Sequence, residues 1–245
     1  MDLHYRDTVA LVTGSSSGIG RATALDLAAE GATVAVTYHE DRAAGEQLVA
    51  DIRSAGRSAS LLRYDLADPT GADVLVRHVV AKHGGLNLLV ANAVAWPRGD
   101  AAAAASWRDS LRANVEGTIA IVQAALPHLH ARQGRLVLIS STIAVDGMAG
   151  ATTYAAGKAA LHGMVAALSA EHAPAGVLTN AVLPGLTLTE RAQRLIPQGV
   201  LDEVKSRTPT RRLAEPHDIA RAVTFLGSPT NKHITGRLIR VDGGL

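Results

Sequence analysis

The sequence predicts an α/β fold, a doubly wound parallel sheet of about seven strands with helices on both faces. Three observations support this prediction. Short apolar, β-branched segments alternate with longer segments of helical periodicity. Hydrophobic residues make up 47% of the sequence but aromatic residues only 3%, a composition typical of sheets that are buried on both faces. A glycine-rich loop joins the first predicted strand to the first predicted helix.

The composition limits the classes of function. Because no linker-like segment interrupts the 245 residues, we predict one domain over residues 1–245. The formal net charge is +2 and the basic residues are scattered, which argues against a nucleic-acid partner. Neither a membrane-spanning stretch nor a signal-peptide pattern is found, so we expect a cytoplasmic protein without a membrane partner. The absence of cysteine excludes thiol chemistry.

The first strand and helix enclose a candidate nucleotide-binding loop. Segment 8–13 is β-branched and precedes GSSSGIG and a helical pattern. Gly14 permits a tight turn, Gly18 lets the backbone approach a pyrophosphate, and Gly20 allows close packing of helix on strand. The helix N terminus and the serine hydroxyls offer phosphate donors. The predicted cofactor-binding residues here are Gly14, Ser15, Ser16, Ser17, Gly18, Ile19 and Gly20. The alternative is a glycine-rich turn without a ligand.

A second signal lies further along the chain. Tyr154 and Lys158 are four residues apart in a helical segment and share one helix face. A lysine ammonium beside a phenol favours the phenolate and lowers the tyrosine pKa, which suits Tyr154 to proton transfer near neutral pH. The same spacing also occurs in ordinary helix-surface pairs, so this signal needs support from the rest of the chain.

Together, TGSSSGIG and Tyr154-x-x-x-Lys158 resemble the short-chain dehydrogenase/reductase family over residues 9–244. The pattern is most similar to 3-oxoacyl-(acyl-carrier-protein) reductases and the ketoreductases of secondary metabolism. The resemblance implies a Rossmann-like fold and an NAD(P)-dependent oxidoreductase. It also implies a set of catalytic residues, which are Asn114, Ser141, Tyr154 and Lys158. Both Tyr154 and Lys158 would in addition contact the cofactor.

The ends of the second and third strands lie where the adenosine of a dinucleotide binds. Tyr38 ends the second strand, where NAD-preferring enzymes usually present a carboxylate, and His39 and Arg42 can face a 2′-phosphate instead. We therefore predict NADP as the preferred cofactor, with NAD as the alternative. By resemblance, Asp65 and Leu66 lie beside the adenine, although Asp65 can also serve as a helix cap.

The fourth strand and the following helix carry further landmarks. The family pattern Asn-Asn-Ala-Gly corresponds here to ANAV, in which Asn92 and Ala93 are predicted cofactor-side or sheet-fixing residues. Val94 replaces a glycine and narrows the space beside the cofactor. A long helix with a loose start at 101–105 contains Asn114, which by resemblance kinks the helix and holds a water. His128 and His130 do not share a helix face, so no metal site is predicted.

The fifth and sixth strands complete the predicted site. Ser141 precedes Tyr154 by thirteen residues, the family spacing of the catalytic serine, while Ser140 is the alternative. Ile143, Val145 and Met148 either line an apolar substrate site or serve in packing. The element that closes over nicotinamide by resemblance comprises Pro184, Gly185, Thr187 and Thr189. Segment 186–210 has weak periodicity and is predicted to be a mobile substrate lid. HITGRLIRVDGGL matches the closing strand.

We therefore predict hydride transfer between nicotinamide and a ketone or secondary alcohol, most simply by a ketoreductase of 3-oxoacyl or polyketide-type substrates. Arg132 corresponds to one basic residue that binds the acidic acyl carrier in the similar reductases, but Ala175 stands at the second such position. A general alcohol, sugar or steroid dehydrogenase is one alternative, and a non-catalytic nucleotide-binding sensor is another. By resemblance, the protein forms a homotetramer or homodimer.

Overall fold

Seven parallel strands form the centre of the molecule in a computed structural model that describes residues 2–96 and 104–245. Each strand contains four to seven residues, which are mainly buried except in the two strands at the edges of the sheet. The strands are β1 (Val9–Val12), β2 (Thr33–Tyr38), β3 (Ala59–Arg63), β4 (Leu88–Ala91), β5 (Arg135–Ile139), β6 (Leu178–Pro184) and β7 (Leu238–Val241).

The strand order is β3-β2-β1-β4-β5-β6-β7. The chain therefore moves outward from β1 to β3 and then crosses back to β4 on the other side of β1. At such a reversal the loops after neighbouring strands diverge and leave a crevice at the carboxyl edge of the sheet. The predicted doubly wound, Rossmann-like fold is confirmed, and this crevice lies between β1 and β4.

Helices cover both faces of the sheet. They are α1 (Gly18–Ala29), α2 (Arg42–Ser54), α3 (Gly71–His83), α4 (Ala104–Leu111), α5 (Gly117–Arg132), α6 (Ile143–Asp146), α7 (Thr152–His172), α8 (Glu190–Leu195), α9 (Gln198–Arg207) and α10 (Pro216–Gly227). None of the helices in the described ranges is long and apolar enough to cross a lipid bilayer.

The helices belong to two apolar cores, one on each face of the sheet. On one face Leu75 of α3, Ile121 of α5 and Leu161 of α7 pack on the sheet. On the other face Leu48 of α2 and Ile219 of α10 pack there together with α1. Because every central strand is covered twice, strands such as β4 and β5 are buried along their whole length.

Two segments near the carboxyl edge differ from a regular pattern. A π-helical turn at Arg112–Glu116 joins α4 to α5, so the long helix contains the irregularity that the resemblance implies at Asn114. The segment 186–210, which is predicted to be a substrate lid, contains helices α8 and α9. The predicted loose helix start falls largely on residues 97–103, which lie outside the described residues.

Candidate active site

The glycine loop after β1 adopts the conformation that its sequence requires. Gly14 and Gly18 have φ values of 62° and 52°, in the left-handed region that disfavours side chains. A Cβ atom at Gly14 would lie 2.8 Å from the Cα atom of Ala93. At Gly20 a Cβ atom would overlap the carbonyl oxygen of Gly14 and lie 2.5 Å from Nδ2 of Asn92. The loop can therefore lie against β4 only with glycine at these positions.

The three loop serines differ in their surroundings. Ser15 is fully buried, and its hydroxyl donates to the Val12 carbonyl (2.8 Å) and accepts from the Thr37 amide (2.8 Å). The Ser15 amide in turn donates to the Thr37 carbonyl (3.1 Å). Ser15 thus joins the ends of β1 and β2, which corrects the expectation that its hydroxyl is a phosphate donor. Ser16 is half-buried and Ser17 is exposed.

Asn92 holds the glycine loop in place. Its Nδ2 donates to the carbonyl oxygens of Thr13 (2.9 Å) and Gly14 (3.0 Å). The Thr13 hydroxyl oxygen accepts from the backbone amides of Asn92 and Ala93, both at 3.0 Å. Of the two roles that the sequence left open for Asn92, these contacts correspond to fixing the sheet edge. Thr13 was not singled out from the sequence.

At the adenosine end of the crevice, His39 and Asp65 come together. His39 Nε2 lies 3.3 Å from Asp65 Oδ2, and Asp65 Oδ1 accepts from the Ala67 amide (2.9 Å). Asp65 therefore fixes the turn after β3 as well as lying at the predicted site. Arg42 donates to Glu46 on its own helix (2.8 Å), and so its guanidinium is already paired.

Leu66 and Tyr38 are the other two residues predicted at the adenosine end of the crevice. Leu66 is buried, and the close approach of Gly117 to its carbonyl belongs to the packing between the turn after β3 and α5. Tyr38 is half-buried at the end of β2. The sequence pattern placed both correctly at strand ends, while the packing role of Leu66 depends on a contact with a distant helix.

Ser141, Tyr154 and Lys158 meet at the carboxyl end of β5. Tyr154 and Ser141 are joined by a side-chain hydrogen bond. The Lys158 ammonium lies 6.0 Å from the centroid of the Tyr154 ring and donates to the Ile139 carbonyl (2.7 Å). Helix α7 thus presents the tyrosine and the lysine on one face, as predicted, and the exit of β5 adds the serine.

The pKa values of this cluster are governed by burial. Burial raises the pKa of Tyr154 above its ordinary value, and the hydrogen bond with Ser141 acts in the opposite direction. Burial also lowers the pKa of Lys158 to about 8. The expected lowering of the tyrosine pKa by the lysine is therefore not found in the protein alone, because both side chains are removed from water.

Ser140 has a different role from Ser141. Its hydroxyl donates to the backbone carbonyl of Lys158 (3.1 Å) and lies 2.9 Å from Nε2 of His162. Both partners belong to α7. Ser140 therefore fixes this helix against β5, whereas Ser141 faces the tyrosine, in agreement with the predicted choice between the two serines.

Asn114 pairs with the loop that follows β4. Its Oδ1 accepts from the Ala95 amide (2.9 Å) and its Nδ2 donates to the Ala95 carbonyl (2.8 Å). Its own carbonyl accepts from the Thr118 hydroxyl (2.8 Å). The π-helical turn directs this buried side chain at the loop, where it anchors Ala95. The water-holding role that the resemblance implies stays a prediction.

Trp96, which follows Ala95 in the chain, is a neighbour of Tyr154 that was not predicted from the sequence. The two rings stack with centroids 5.0 Å apart and an interplanar angle of 11°. The guanidinium carbon of Arg191, on α8, lies 5.0 Å from the centroid of the Trp96 ring. The available signal was the position of a tryptophan just after a central strand, at the edge where ligands bind.

The exit of β6 reaches the glycine loop. The Thr187 hydroxyl donates to the Gly185 carbonyl (3.0 Å), and the Thr189 hydroxyl accepts from the Ala192 amide (3.1 Å) and caps α8. The Thr189 methyl group lies 3.1 Å from where a Cβ atom of Gly18 would be. Both hydroxyls thus have partners within their own segment, which itself closes one side of the site.

The remaining predicted residues of this exit, Pro184 and Gly185, lie where the sheet ends. Pro184 pairs with Val241 of β7. A Cβ atom at Gly185 would lie 2.9 Å from the Cα atom of Asp242, so glycine is required there as well. Within residues 2–96 and 104–245, no group of three or more metal-ligating side chains could hold a metal ion.

Comparison with known proteins identifies the family. A family model described as enoyl-(acyl carrier protein) reductase matches residues 14–245. The chain is 33% identical to the 3-oxoacyl-(acyl-carrier-protein) reductase FabG of Staphylococcus aureus, over 96% of this chain and 97% of the relative. It is 35% identical to a cis-4-hydroxycyclohexanecarboxylate dehydrogenase of Sinomonas cyclohexanicum, over 98% and 97%.

Solved structures agree with this result. A short-chain dehydrogenase of Burkholderia cenocepacia J2315 in complex with NADP superimposes with a TM-score of 0.91, at 36% identity over 98% of both chains. A 7α-hydroxysteroid dehydrogenase complexed with NADH and 7-oxoglycochenodeoxycholic acid gives a TM-score of 0.94, at 28% identity over 99% of this chain and 96% of the other. The chain is a short-chain dehydrogenase/reductase. It is an oxidoreductase that uses a nicotinamide cofactor and acts on CH–OH or ketone groups.

The crevice of this short-chain dehydrogenase/reductase fits a dinucleotide. The left-handed glycines bring the loop backbone close to the crevice without a side chain in the way. No side chain caps the N terminus of α1 in the described structure, so the first-turn N–H groups of Gly18, Ile19 and Gly20 are available to a phosphate. The glycine conformations and the uncapped helix start therefore fit a pyrophosphate.

Proposed function

We propose that this short-chain dehydrogenase/reductase is a ketoreductase that prefers NADPH and reduces the ketone of a small molecule, free or carrier-bound. The observation that carries the proposal is the cluster of Ser141, Tyr154 and Lys158, at the same carboxyl edge of the sheet as the glycine loop. When bound, the reduced cofactor supplies the hydride. The protein must then place a proton donor and a hydrogen-bond donor at the substrate oxygen, where negative charge develops.

The side chains divide these tasks between them. In the proposed reaction Ser141 donates a hydrogen bond to the substrate oxygen and Tyr154 gives it the phenolic proton. A tyrosine with a raised pKa keeps this proton at neutral pH until the oxygen becomes basic. Lys158, whose pKa of about 8 leaves it mostly protonated at pH 7, stabilises the phenolate that remains, and it would also hold a nicotinamide ribose hydroxyl. Asn114 acts as a positioning residue through Ala95.

Tyr154→Phe tests this assignment. The variant removes one hydroxyl from a site whose packing depends on the ring, so we expect nucleotide binding close to that of the wild type and turnover reduced by at least roughly 10³-fold. The assay follows the loss of NADPH absorbance with a short 3-oxoacyl thioester, and nucleotide binding is measured separately by thermal shift. Retained turnover in the phenylalanine variant would remove Tyr154 from its role.

The preference for NADPH rests on the adenosine end of the crevice. Tyr38 provides no carboxylate there, and His39 next to Asp65 can meet a 2′-phosphate. One similar structure contains NADP and another contains NADH, so NADH is the alternative. We expect kcat/KM for NADPH to exceed that for NADH. The reverse order in the same assay would contradict the preference.

A general alcohol or cyclic-ketone dehydrogenase is the second candidate. Arg132, the expected carrier-binding residue, donates to the Gly84 carbonyl (2.7 Å), and Ala175 at the second position carries no charge. Both observations weaken an acidic carrier as partner. A relative named for a cyclic hydroxy acid shares 35% of its residues with this chain. Cyclic ketones turned over in preference to 3-oxoacyl thioesters would favour this candidate.

We further propose a cytoplasmic homotetramer or homodimer. Helix α7 carries small exposed residues, which are Gly163, Ala166, Ala167 and Ala170, and such residues let two helices approach closely. Light scattering of the purified protein measures the assembly. A mass corresponding to a single chain at micromolar concentration would contradict this proposal.

A further inference from the structure

A stack of three side chains extends from the reacting tyrosine to the surface. Trp96 lies flat against Tyr154, and Arg191 lies over Trp96. The Tyr154–Trp96 and Trp96–Arg191 separations are both 5.0 Å, so the guanidinium lies no further from the phenol ring than the sum of the two. The three residues come from α7, from the loop after β4 and from α8, and no single sequence motif contains them.

Arg191 has an unused hydrogen-bonding edge. Its side chain is exposed, and within the described residues no carboxylate pairs with it. Glu190 precedes it on the same helix and, over the part of the chain that the structure describes, forms no ion pair with it. A guanidinium that lies over an aromatic ring uses its flat face for that contact, and its N–H groups remain available in the plane. Such an edge binds a carboxylate through two parallel hydrogen bonds.

Trp96 offers an apolar surface in the middle of this stack. Its side chain is 44% exposed. An exposed aromatic ring beside a reacting side chain suits the apolar part of a ligand. The body of the ligand is therefore apolar, and its charge lies at the end that reaches Arg191.

We propose that the substrate is a carboxylate-bearing ketone or secondary alcohol with an apolar ring or branched body between the two groups. This inference rests on the proposed function. Arg191 binds the carboxylate, Trp96 supports the apolar body, and the reacting oxygen reaches Tyr154 and Ser141. The class excludes neutral ketones as preferred substrates, since these leave the guanidinium without a partner.

Binding of an unreactive acid tests the inference apart from catalysis. Cyclohexanecarboxylate and the neutral cyclohexanecarboxamide are titrated into the nucleotide-free protein by calorimetry. The wild type is expected to bind the acid roughly tenfold to a hundredfold more tightly than the amide. Arg191→Gln should abolish this difference, whereas Lys205→Gln, which removes the same charge from an exposed position on α9, should keep it. Equal binding of acid and amide by the wild type would overturn the inference.

Turnover separates the inference from the proposed function. With NADPH, the wild type should reduce 4-oxocyclohexanecarboxylate with a kcat/KM roughly tenfold or more above that of its methyl ester. In Arg191→Gln the preference for the acid over the ester should disappear, whereas Lys205→Gln should keep it. Ester and acid reduced equally well would refute the carboxylate site but leave the ketoreductase intact. Selective binding of the acid without any reduction would refute the ketoreductase instead.

Discussion

Lys158→Met provides a direct test of how the site is stabilised. The lysine is 5% exposed, and burial lowers its pKa from 10.5 to about 8. At about 1.4 kcal/mol per pKa unit, keeping this ammonium buried costs on the order of 3 kcal/mol at pH 7. The buried ammonium keeps one hydrogen bond, to the Ile139 carbonyl (2.7 Å). Methionine has a similar length and carries no charge.

The sign of the pH dependence follows from the two pKa values. Between about pH 8 and 10.5 the unfolded chain holds a proton on Lys158 that the folded protein has lost, so the stability contributed by this group rises with pH. The cost is fully present below pH 8. We therefore expect the free energy of unfolding of the wild type, relative to Lys158→Met, to rise by about 2 kcal/mol from pH 7 to pH 10.

Urea denaturation of the nucleotide-free proteins at both pH values measures this difference. Repeating the pair in a Tyr154→Phe background removes the titration of the neighbouring phenol. Lys205→Met is the control, because its exposed side chain lies in water in both states, and it is expected to follow the wild type. If the wild type and Lys158→Met differ by the same amount at pH 7 and pH 10, the lysine does not titrate as its burial requires.

Two further predictions concern the glycine loop. Asn92→Asp places a carboxylate against the carbonyl oxygens of Thr13 and Gly14. We expect urea denaturation to show a free energy of unfolding lower by about 2 to 4 kcal/mol. An unchanged denaturation midpoint would contradict the anchoring role of Asn92. Gly20→Ala adds a methyl group that overlaps the Gly14 carbonyl. We expect the free energy of unfolding to fall by about 1 to 3 kcal/mol and NADPH to give no thermal stabilisation. Gly199→Ala, with open space around it, is the control and should behave as the wild type.

Predictions from local pattern agreed well with the structure. The strand segments, the left-handed glycines and the shared face of Tyr154 and Lys158 all follow from the spacing of residues close together in the chain. Each of these features depends on the pattern of one short segment, which a sequence displays directly. Ser141 was selected by the family spacing, and its side chain does meet Tyr154, while its catalytic role stays a prediction.

Features that depend on distant segments were missed or misread. The stacking of Trp96 on Tyr154 joins residues from two separate elements, and the direction of the Ser15 hydroxyl depends on the position of β2. The raised pKa of Tyr154 reflects how much water the folded site excludes. Helix α9 has a weak apolar pattern in the sequence because only Leu201 among its residues is buried.

The anchor between Asn114 and Ala95 has a consequence for how this enzyme can be diversified. Asn114 hydrogen-bonds to the main-chain N–H and carbonyl of Ala95, so these two bonds do not depend on the side chain at position 95. The neighbouring positions, Val94 and Trp96, can therefore change while the backbone between them keeps its place. A mutant library confined to these two positions would vary the side chains beside the site while the backbone at Ala95 stays in place. The pair is therefore a suitable starting point for directed evolution.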